Sequence, residues 1–260
     1  MRSIYAIMLA ILLLATGCSD SYCPSLDKVV TVEESDFYEI SLSGLKPREI
    51  DLDLMGIIGA RYCDSLLVVT PLDGSRCFMK RMVQNGTCLE RYVRNVEGTE
   101  SMSQPMLKLN SCQISNNDGY NINLFSGTVG YNSSRHLIVE AMCLLNLVQV
   151  YPVEGDGGYT LCYGKTMPDI RVLEKQSPQL CTYHTGLSLN DSYFSVMYTD
   201  ERVSGTTKEI HGYAWDGSPL FRIPLPSNIT KYDIDSKTGS LLTVDEEDHI
   251  REYSIEYLKS

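Results

Sequence analysis

The sequence predicts an all-β chain folded as a β-propeller of four-stranded blades, and three observations support this prediction. Past Val32 the apolar residues come in short or alternating runs that turn residues separate, which is the pattern of strands. No long stretch in this region has the spacing of an amphipathic helix. A short polar turn followed by an apolar strand recurs at 62–70, 137–150 and 187–198, at spacings of ~40 to 60 residues that suit propeller blades.

The C-terminal region contains the clearest elements. They are a hairpin at 210–223 that turns at Asp216-Gly217, a hairpin at 231–244 that turns at 236–239, and a last strand at 249–257 after the acidic turn 245–248. Each strand is joined directly to the next. Such a meander has the size of one propeller blade, whereas a β-sandwich needs longer crossovers between its two sheets.

A further hairpin is predicted to turn at Asn85-Gly86, because this dipeptide is typical of a type I′ turn, in which both central residues need a positive φ. A two-residue loop at this position fixes the register and places Cys77 opposite Arg94. The same register pairs Lys80 with Arg91, and two like charges in direct opposition count mildly against it.

The N-terminal residues have the pattern of a lipoprotein signal peptide. Arg2 precedes an uncharged apolar run at 4–15, which is too short to cross a bilayer core of ~30 Å, since a spanning helix takes ~20 residues. Small residues then lead to Cys18, and this ending resembles the lipobox of bacterial lipoproteins. The resemblance implies that Cys18 is acylated, with palmitate or a similar chain, and becomes the first mature residue. An ordinary secretory signal is the alternative.

These features divide the chain into a signal peptide at 1–17, a lipidated tether at 18–27 and a propeller domain at 28–260. Ser19 after the cysteine resembles outer-membrane sorting signals, so we expect a protein anchored to the outer membrane. Asp20 alone represents the acidic cluster that some Bacteroidetes use for export to the cell surface. The periplasmic and the surface-exposed face therefore both remain open.

The charge balance excludes some partners. The chain has 22 basic and 33 acidic residues and a formal net charge of −11. Such a chain repels phosphate backbones at long range, and no run of lysine and arginine offsets this, so we expect no nucleic-acid partner. For the same reason anionic lipid headgroups cannot hold it, and membrane attachment depends on the acyl chains.

Three segments resemble the TolB-like six-bladed β-propeller lipoproteins of Bacteroidetes. They are CDSLLVV at 63–69, VEGTE at 96–100 running to Pro105, and IHGYAWDGSPL at 210–220. The likeness is strongest over 200–257 and fair over 55–110. The chain keeps only the Gly and Glu of the family's glycine-rich stretch and is short for six full blades. The resemblance therefore implies a propeller of five blades, or of six with some degenerate ones.

Motifs that suggest a cofactor have simpler structural explanations. The segment 158–166 ends in Gly-Lys-Thr like a phosphate loop, but Tyr159 occupies the position of the required glycine. The segment 233–239 resembles an EF-hand loop only superficially, because Lys237 stands where a ligand oxygen is needed. The four histidines show no zinc-binding spacing. We therefore expect a strand and turn at the first segment, a hairpin turn at the second, and neither a metal nor a cofactor.

Trp215 and Tyr213 are the candidate binding residues, since either ring could stack on a sugar or on an aromatic side chain. The alternative is that Trp215 packs over its own hairpin turn. We expect a monomeric, non-catalytic binding module for a protein or glycan partner. Acidic pairs such as Asp51 and Asp53 leave a carbohydrate-active propeller enzyme as the second hypothesis, although solvent-facing alternation explains them as well.

Two further expectations concern cysteines and ring closure. The cysteines other than Cys18 number eight, since the chain has nine. In an oxidising compartment they allow disulfides, but several lie in apolar strands, where cysteine behaves as a small hydrophobe, so their state stays open. A closed ring of blades must also join its two ends. We predict that a strand within 28–42 lies in the same blade as the C-terminal strands of 210–257, or in a neighbouring one.

Overall fold

The computed structural model describes residues 28–52, 54, 56–63, 66–72, 76–80, 90–92, 126–164, 181–200 and 207–260, and in the strands at 76–80 and 90–92 the backbone only. No α-helix occurs in these ranges; strands predominate, with short 3-10 helices at Glu34–Asp36 and Glu256–Leu258. The strands are β1 (Lys28–Val32), β2 (Tyr38–Glu39), β3 (Arg48–Ile50), β4 (Ile57–Cys63), β5 (Leu66–Pro71), β6 (Arg76–Lys80), β7 (Glu90–Tyr92), β8 (Gly127–Asn132), β9 (Leu137–Met142), β10 (Leu147–Pro152), β11 (Tyr159–Tyr163), β12 (His184–Leu189), β13 (Tyr193–Asp200), β14 (Thr207–Ala214), β15 (Pro219–Leu225), β16 (Ile229–Asp235), β17 (Ser240–Asp245) and β18 (Ile250–Ser254). The prediction of an all-β chain is confirmed.

The described strands form four sheets, each of them built on a meander of consecutive strands. We call them blade 1 (β4–β7), blade 2 (β8–β11 with β1), blade 3 (β12–β15 with β2) and blade 4 (β16–β18 with β3). The first strands of the blades contact one another, β8 with β12, β12 with β16, and β16 with β4. Meanders that radiate from a shared centre in this way form a β-propeller, as predicted.

The N-terminal segment completes three blades in succession. β1 pairs in parallel with β11, β2 pairs in parallel with β15, and β3 pairs antiparallel with β18, the last strand of the chain. The predicted proximity of 28–42 to the C-terminal strands is therefore confirmed, because β2 lies in blade 3. The strand that pairs with β18 is β3, just beyond the predicted segment. These pairings cover sheet edges that would otherwise be open.

The predicted C-terminal hairpins are present with short turns. Ile210 lies opposite Ile223 across β14 and β15, and Asp235 lies opposite Ser240 across β16 and β17. The last strand is shorter than predicted and ends at Ser254, before a 3-10 helix. In the segment that resembles a phosphate loop, residues 159–163 form β11, and residues 165 and 166 lie outside the described residues. The segment that resembles an EF-hand loop lies in the β16–β17 hairpin.

The predicted register of the β6–β7 hairpin is wrong. Cys77 lies opposite Arg91, three residues from the predicted partner, Arg94. The prediction assumed an uninterrupted ladder up to a two-residue loop. The observed register removes the opposition of Lys80 and Arg91 that the predicted one required, and like charges directly opposite each other are destabilising. The predicted turn at Asn85-Gly86 itself lies outside the described residues.

The core lies between the blades. β13 shows why: Phe194 and Val196 pack in a cluster with residues of blade 2, whereas Tyr193 and Met197 pack in a cluster with residues of blade 4. All four side chains are buried. A strand that is buried on both faces needs a continuous apolar run rather than strict alternation. A third cluster joins blades 4 and 1.

Gly239 offers a test of how tightly the last hairpin is built. Its φ is +69°, and an added Cβ would lie 2.6 Å from the carbonyl oxygen of Ile255. Gly44 has a φ of +87° but nothing within 4 Å of an added Cβ. We expect Gly44→Ala to lower the free energy of unfolding by about 1 to 2 kcal/mol through backbone strain alone. Gly239→Ala should cost about 2 to 4 kcal/mol, because overpacking against the backbone is added. Equal losses in chemical denaturation would show that the contact with Ile255 relaxes freely.

Candidate functional site

The first strands of the four described blades enclose a cavity of about 660 Å³. It is lined by residues of β4, β8, β12 and β16 and of the turns that follow β12 and β16. Ligand pockets usually have volumes of roughly 300 to 1,000 Å³, and this cavity falls within that range. We call this space the central cavity.

Asp233 is the most constrained carboxylate of the central cavity. One oxygen accepts a hydrogen bond from the Ser188 hydroxyl at 2.6 Å, and the other accepts one from the backbone N–H of Tyr62 at 2.7 Å. The three residues come from blades 4, 3 and 1. Burial raises the pKa of Asp233, even though these hydrogen bonds and the charge of Arg61 favour its ionised form. Asp233 therefore fastens three blades together.

The other carboxylates of the cavity are also hydrogen-bonded. Both oxygens of Asp235 accept bonds within the β16–β17 turn, from the backbone N–H of Lys237 at 3.1 Å and from the Thr238 hydroxyl at 2.6 Å. One oxygen of the exposed Asp191 accepts a bond from the Ser134 hydroxyl at 2.8 Å. The site thus holds several negative charges, but the fold already uses most of their oxygens.

Tyr131 and Arg61 present exposed groups to the central cavity. The Tyr131 side chain is 48% exposed, and its hydroxyl lies 3.1 Å from Nδ1 of His136. Arg61 has no hydrogen-bond or ion-pair partner within the described part of the chain. An aromatic face and an exposed guanidinium are therefore available at one site.

Main-chain groups on the inner strands are occupied by side chains. Besides the Tyr62 N–H, the backbone N–H of Ile234 donates to the Ser188 hydroxyl at 3.3 Å. The carbonyl of Asn190 accepts two bonds, from the side-chain amide of Asn132 at 3.0 Å and from the indole N–H of Trp215 at 3.1 Å. These bonds leave fewer backbone groups for an added strand.

The structure corrects the prediction that Trp215 and Tyr213 bind a ligand. Trp215 is 8% exposed and Tyr213 is 2% exposed, and both belong to the cluster between blades 2 and 3. The Trp215 ring packs against Phe194 at a centroid distance of 5.2 Å, and Tyr213 lies between Phe194 and Phe37 at 5.5 and 5.4 Å. Their ring faces are covered. The alternative that Trp215 is a packing residue fits better, although it packs on the neighbouring strand β13 as well as beside its own turn.

A second polar cluster lies where the N-terminal segment meets blade 3. Arg222 donates to Glu209 at 2.9 Å and also pairs with Glu34, at 2.6 Å, and with Glu39. On its other side Glu209 lies 2.8 Å from Nε2 of the fully buried His211. Burial opposes the ionisation of Glu209, but the hydrogen bonds and charges of His211 and Arg222 outweigh it and lower the pKa of this carboxyl. This cluster attaches β2 to the propeller, and no sequence motif indicated it.

The remaining predicted sites have mixed outcomes. Cys18 and Asp53 lie outside the described residues, and Asp51 is exposed. Cys63 and Cys143 are free thiols. Within the described ranges, no group of three histidine, cysteine, aspartate or glutamate side chains could hold a metal ion. None of the helices in those same ranges is long and apolar enough to cross a bilayer.

Comparisons with known proteins give likeness of fold. No protein family model matches the chain, and no curated protein matches it in sequence. A putative exported protein from Bacteroides fragilis is 8% identical with a TM-score of 0.41, over 87% of this chain and 99% of that one. A DUF4221 family member from Bacteroides vulgatus is 8% identical with a TM-score of 0.35, over 75% and 61%. The β-propeller domain of Cps50 (Swd1) from Myceliophteria thermophila is 8% identical with a TM-score of 0.33, over 74% and 48%, so this chain spans about half the length of that one. This chain also covers 47% of the C-terminal WD40 domain of Sif2, which is again about half of its length.

Proposed function

We propose that this protein is a lipid-anchored β-propeller of the cell envelope that binds a protein or glycan partner in its central cavity and catalyses nothing. One observation carries the proposal. The cavity combines an exposed ring and guanidinium, Tyr131 and Arg61, with two carboxylates, Asp233 and Asp235, whose oxygens all accept hydrogen bonds within the fold. Binding needs exposed groups on a rigid platform, whereas hydrolysis of a glycoside needs two carboxylates that are free to act on the substrate.

The anchor and the family assignment belong to the same proposal. The short apolar run and the lipobox-like ending at Cys18 support attachment to the outer membrane by acyl chains. Membership of the TolB-like propeller lipoproteins is supported by the segments at 63–69 and 210–220. A β-propeller scaffold is what that family assignment requires.

Cys18→Ala tests the anchor. We expect this variant to incorporate no fatty acid and to remain as an unprocessed precursor, because the thiol that carries the lipid is gone. Metabolic labelling with a radioactive fatty acid measures this directly. Cys23→Ala is the matched control, since it removes the nearest other thiol of the chain and should be labelled like the wild type. A labelled Cys18→Ala protein would contradict the assignment.

A carbohydrate-active enzyme is the second candidate, and the raised pKa of Asp233 favours it, since a protonated carboxyl is what a general acid requires. Against it, both oxygens of Asp233 accept hydrogen bonds from neighbouring blades. Incubation with oligosaccharides and assay of new reducing ends separates the two functions. We expect none. Release of reducing ends that Asp233→Asn abolishes, in a variant with an unchanged melting temperature, would establish the enzyme.

A further inference from the structure

Resting on the proposed function, we infer that the occupant of the central cavity is a neutral glycan. A sugar ring would stack on Tyr131, and its hydroxyl groups would pair with Arg61 and Asp191. All three side chains line the same cavity and are exposed.

The inner strands are poorly suited to an extended peptide. A peptide that adds to a sheet edge is held chiefly by main-chain hydrogen bonds. In this cavity the N–H groups of Tyr62 and Ile234 and the carbonyl of Asn190 are already bonded to side chains of the protein. Recognition therefore falls to side chains.

The available side chains supply both a donor and an acceptor. Arg61 has N–H donors that make no hydrogen bond within the described part of the chain, although its charge acts on Asp233. Asp191 uses one carboxylate oxygen for Ser134, and its other oxygen has no hydrogen bond within the described ranges. The hydroxyl groups of a sugar can both accept from a guanidinium and donate to a carboxylate oxygen.

The charges at the cavity favour a neutral ligand. An anionic ligand would meet the carboxylates of Asp191, Asp233 and Asp235, and a cationic one would meet Arg61 and Lys237. A polyol has no net charge to be repelled by either set. It also avoids the desolvation cost of bringing an ion into the cavity.

Tyr131 adds a stacking surface whose hydroxyl is hydrogen-bonded to a neighbouring side chain. Its hydroxyl lies 3.1 Å from the His136 ring, which limits the motion of the phenol. The main chain of His136 is itself held, because its carbonyl accepts a bond from the N–H of Val153 at 3.0 Å. A ring that is already ordered loses little conformational entropy when the C–H face of a sugar packs on it.

A glycan array probed with the intact protein tests the inference. The protein is solubilised in a detergent without a sugar headgroup and applied to neutral and acidic glycans, with extended peptides spotted beside them. We expect signal on neutral glycans, and we expect calorimetry with the best neutral oligosaccharide to show at least a tenfold loss of affinity for Tyr131→Ala. Arg61→Gln should lose at least fivefold, and Tyr131→Phe, which keeps the ring, should lose less than Tyr131→Ala.

Two controls keep the test specific. Lys46→Gln removes one exposed positive charge, and Tyr257→Ala removes an exposed ring, both outside the cavity. Both should bind the oligosaccharide like the wild type, and thermal melts of all variants show which of them are folded. The inference is overturned if Tyr131→Ala folds and binds the oligosaccharide with unchanged affinity. It is also overturned if the double variant Tyr131→Phe/Arg61→Gln folds and does so.

The outcomes separate the inference from the proposed function. Signal on peptides alone, or on acidic glycans alone, overturns the neutral-glycan assignment and leaves a non-catalytic binding module in place. Binding followed by hydrolysis of a neutral glycan supports the ligand class and overturns the non-catalytic function. An array without signal on any neutral glycan overturns the inference.

Discussion

Arg222→Met is expected to lower the free energy of unfolding by about 3 kcal/mol, because it leaves a buried carboxylate without its cation. The Arg222 side chain is 15% exposed and that of Glu209 is 9% exposed. The pairs with Glu34 and Glu39 add little, since both carboxylates are well exposed. Urea denaturation at pH 7 measures the loss.

A matched control is available at the next strand of the same segment. Arg48 joins β3 to blade 4 through Glu252, with an Nε to carboxylate distance of 2.8 Å, but its side chain is 30% exposed. The Glu252 side chain is 14% exposed and keeps the hydrogen bond from the Tyr62 hydroxyl at 2.6 Å, so Arg48→Met should cost less than Arg222→Met, about 1 to 2 kcal/mol. The comparison separates burial of a charge from loss of a contact between the N-terminal segment and a blade.

A double variant tests whether the unpaired Glu209 carboxylate causes the loss of stability in Arg222→Met. Because the penalty comes from the unpaired Glu209 carboxylate, replacing it as well should restore part of the stability lost in Arg222→Met. Glu209→Met/Arg222→Met is thus expected to be more stable than Arg222→Met alone. A double variant that is less stable than the single one would show that the hydrogen bond from His211 to Glu209 matters more than the ion pair.

The strands of this protein could be predicted from the sequence because their signals are local. The apolar run of β13 and the turn glycines Gly217 and Gly239, both at positive φ, mark strand and turn whatever lies around them. The register at β6–β7 could not be derived in the same way. A dipeptide that favours one turn does not exclude a different ladder, and the like-charged pair of the predicted register counts only mildly against it.

The candidate site is mostly invisible in the sequence, because its contacts join distant positions. Asp233 bonds to Ser188 and Tyr62, which lie 45 and 171 positions away. Tyr131 is one of 17 tyrosines and carries no motif. Trp215 attracted attention because it is the single tryptophan, but a large apolar ring beside a hairpin packs in the core as readily as it binds a ligand.

Lowering the pH from about 6.5 to 4 is expected to remove about 3 kcal/mol of stability through His184 alone. This ring is buried, and its Nδ1 lies 2.8 Å from the Met142 carbonyl, to which it donates. Burial lowers the pKa of His184 to about 4, although the bond to the Met142 carbonyl opposes the shift. An unfolded histidine has a pKa of about 6.5, so the unfolded state takes up the proton first as the pH falls. The stabilisation is complete above pH 6.5 and is lost on the way to pH 4.

His184→Gln isolates this contribution, because glutamine keeps a donor for the Met142 carbonyl and does not titrate. Unfolding free energies measured at pH 7, 5.5 and 4 should fall by about 3 kcal/mol less in this variant than in the wild type. The buried His211, whose pKa burial also lowers, and the carboxylates are common to both proteins and account for the remaining slope. If His184→Gln loses as much stability between pH 7 and pH 4 as the wild type, protonation of this ring does not oppose folding, and the acid sensitivity arises elsewhere in the propeller.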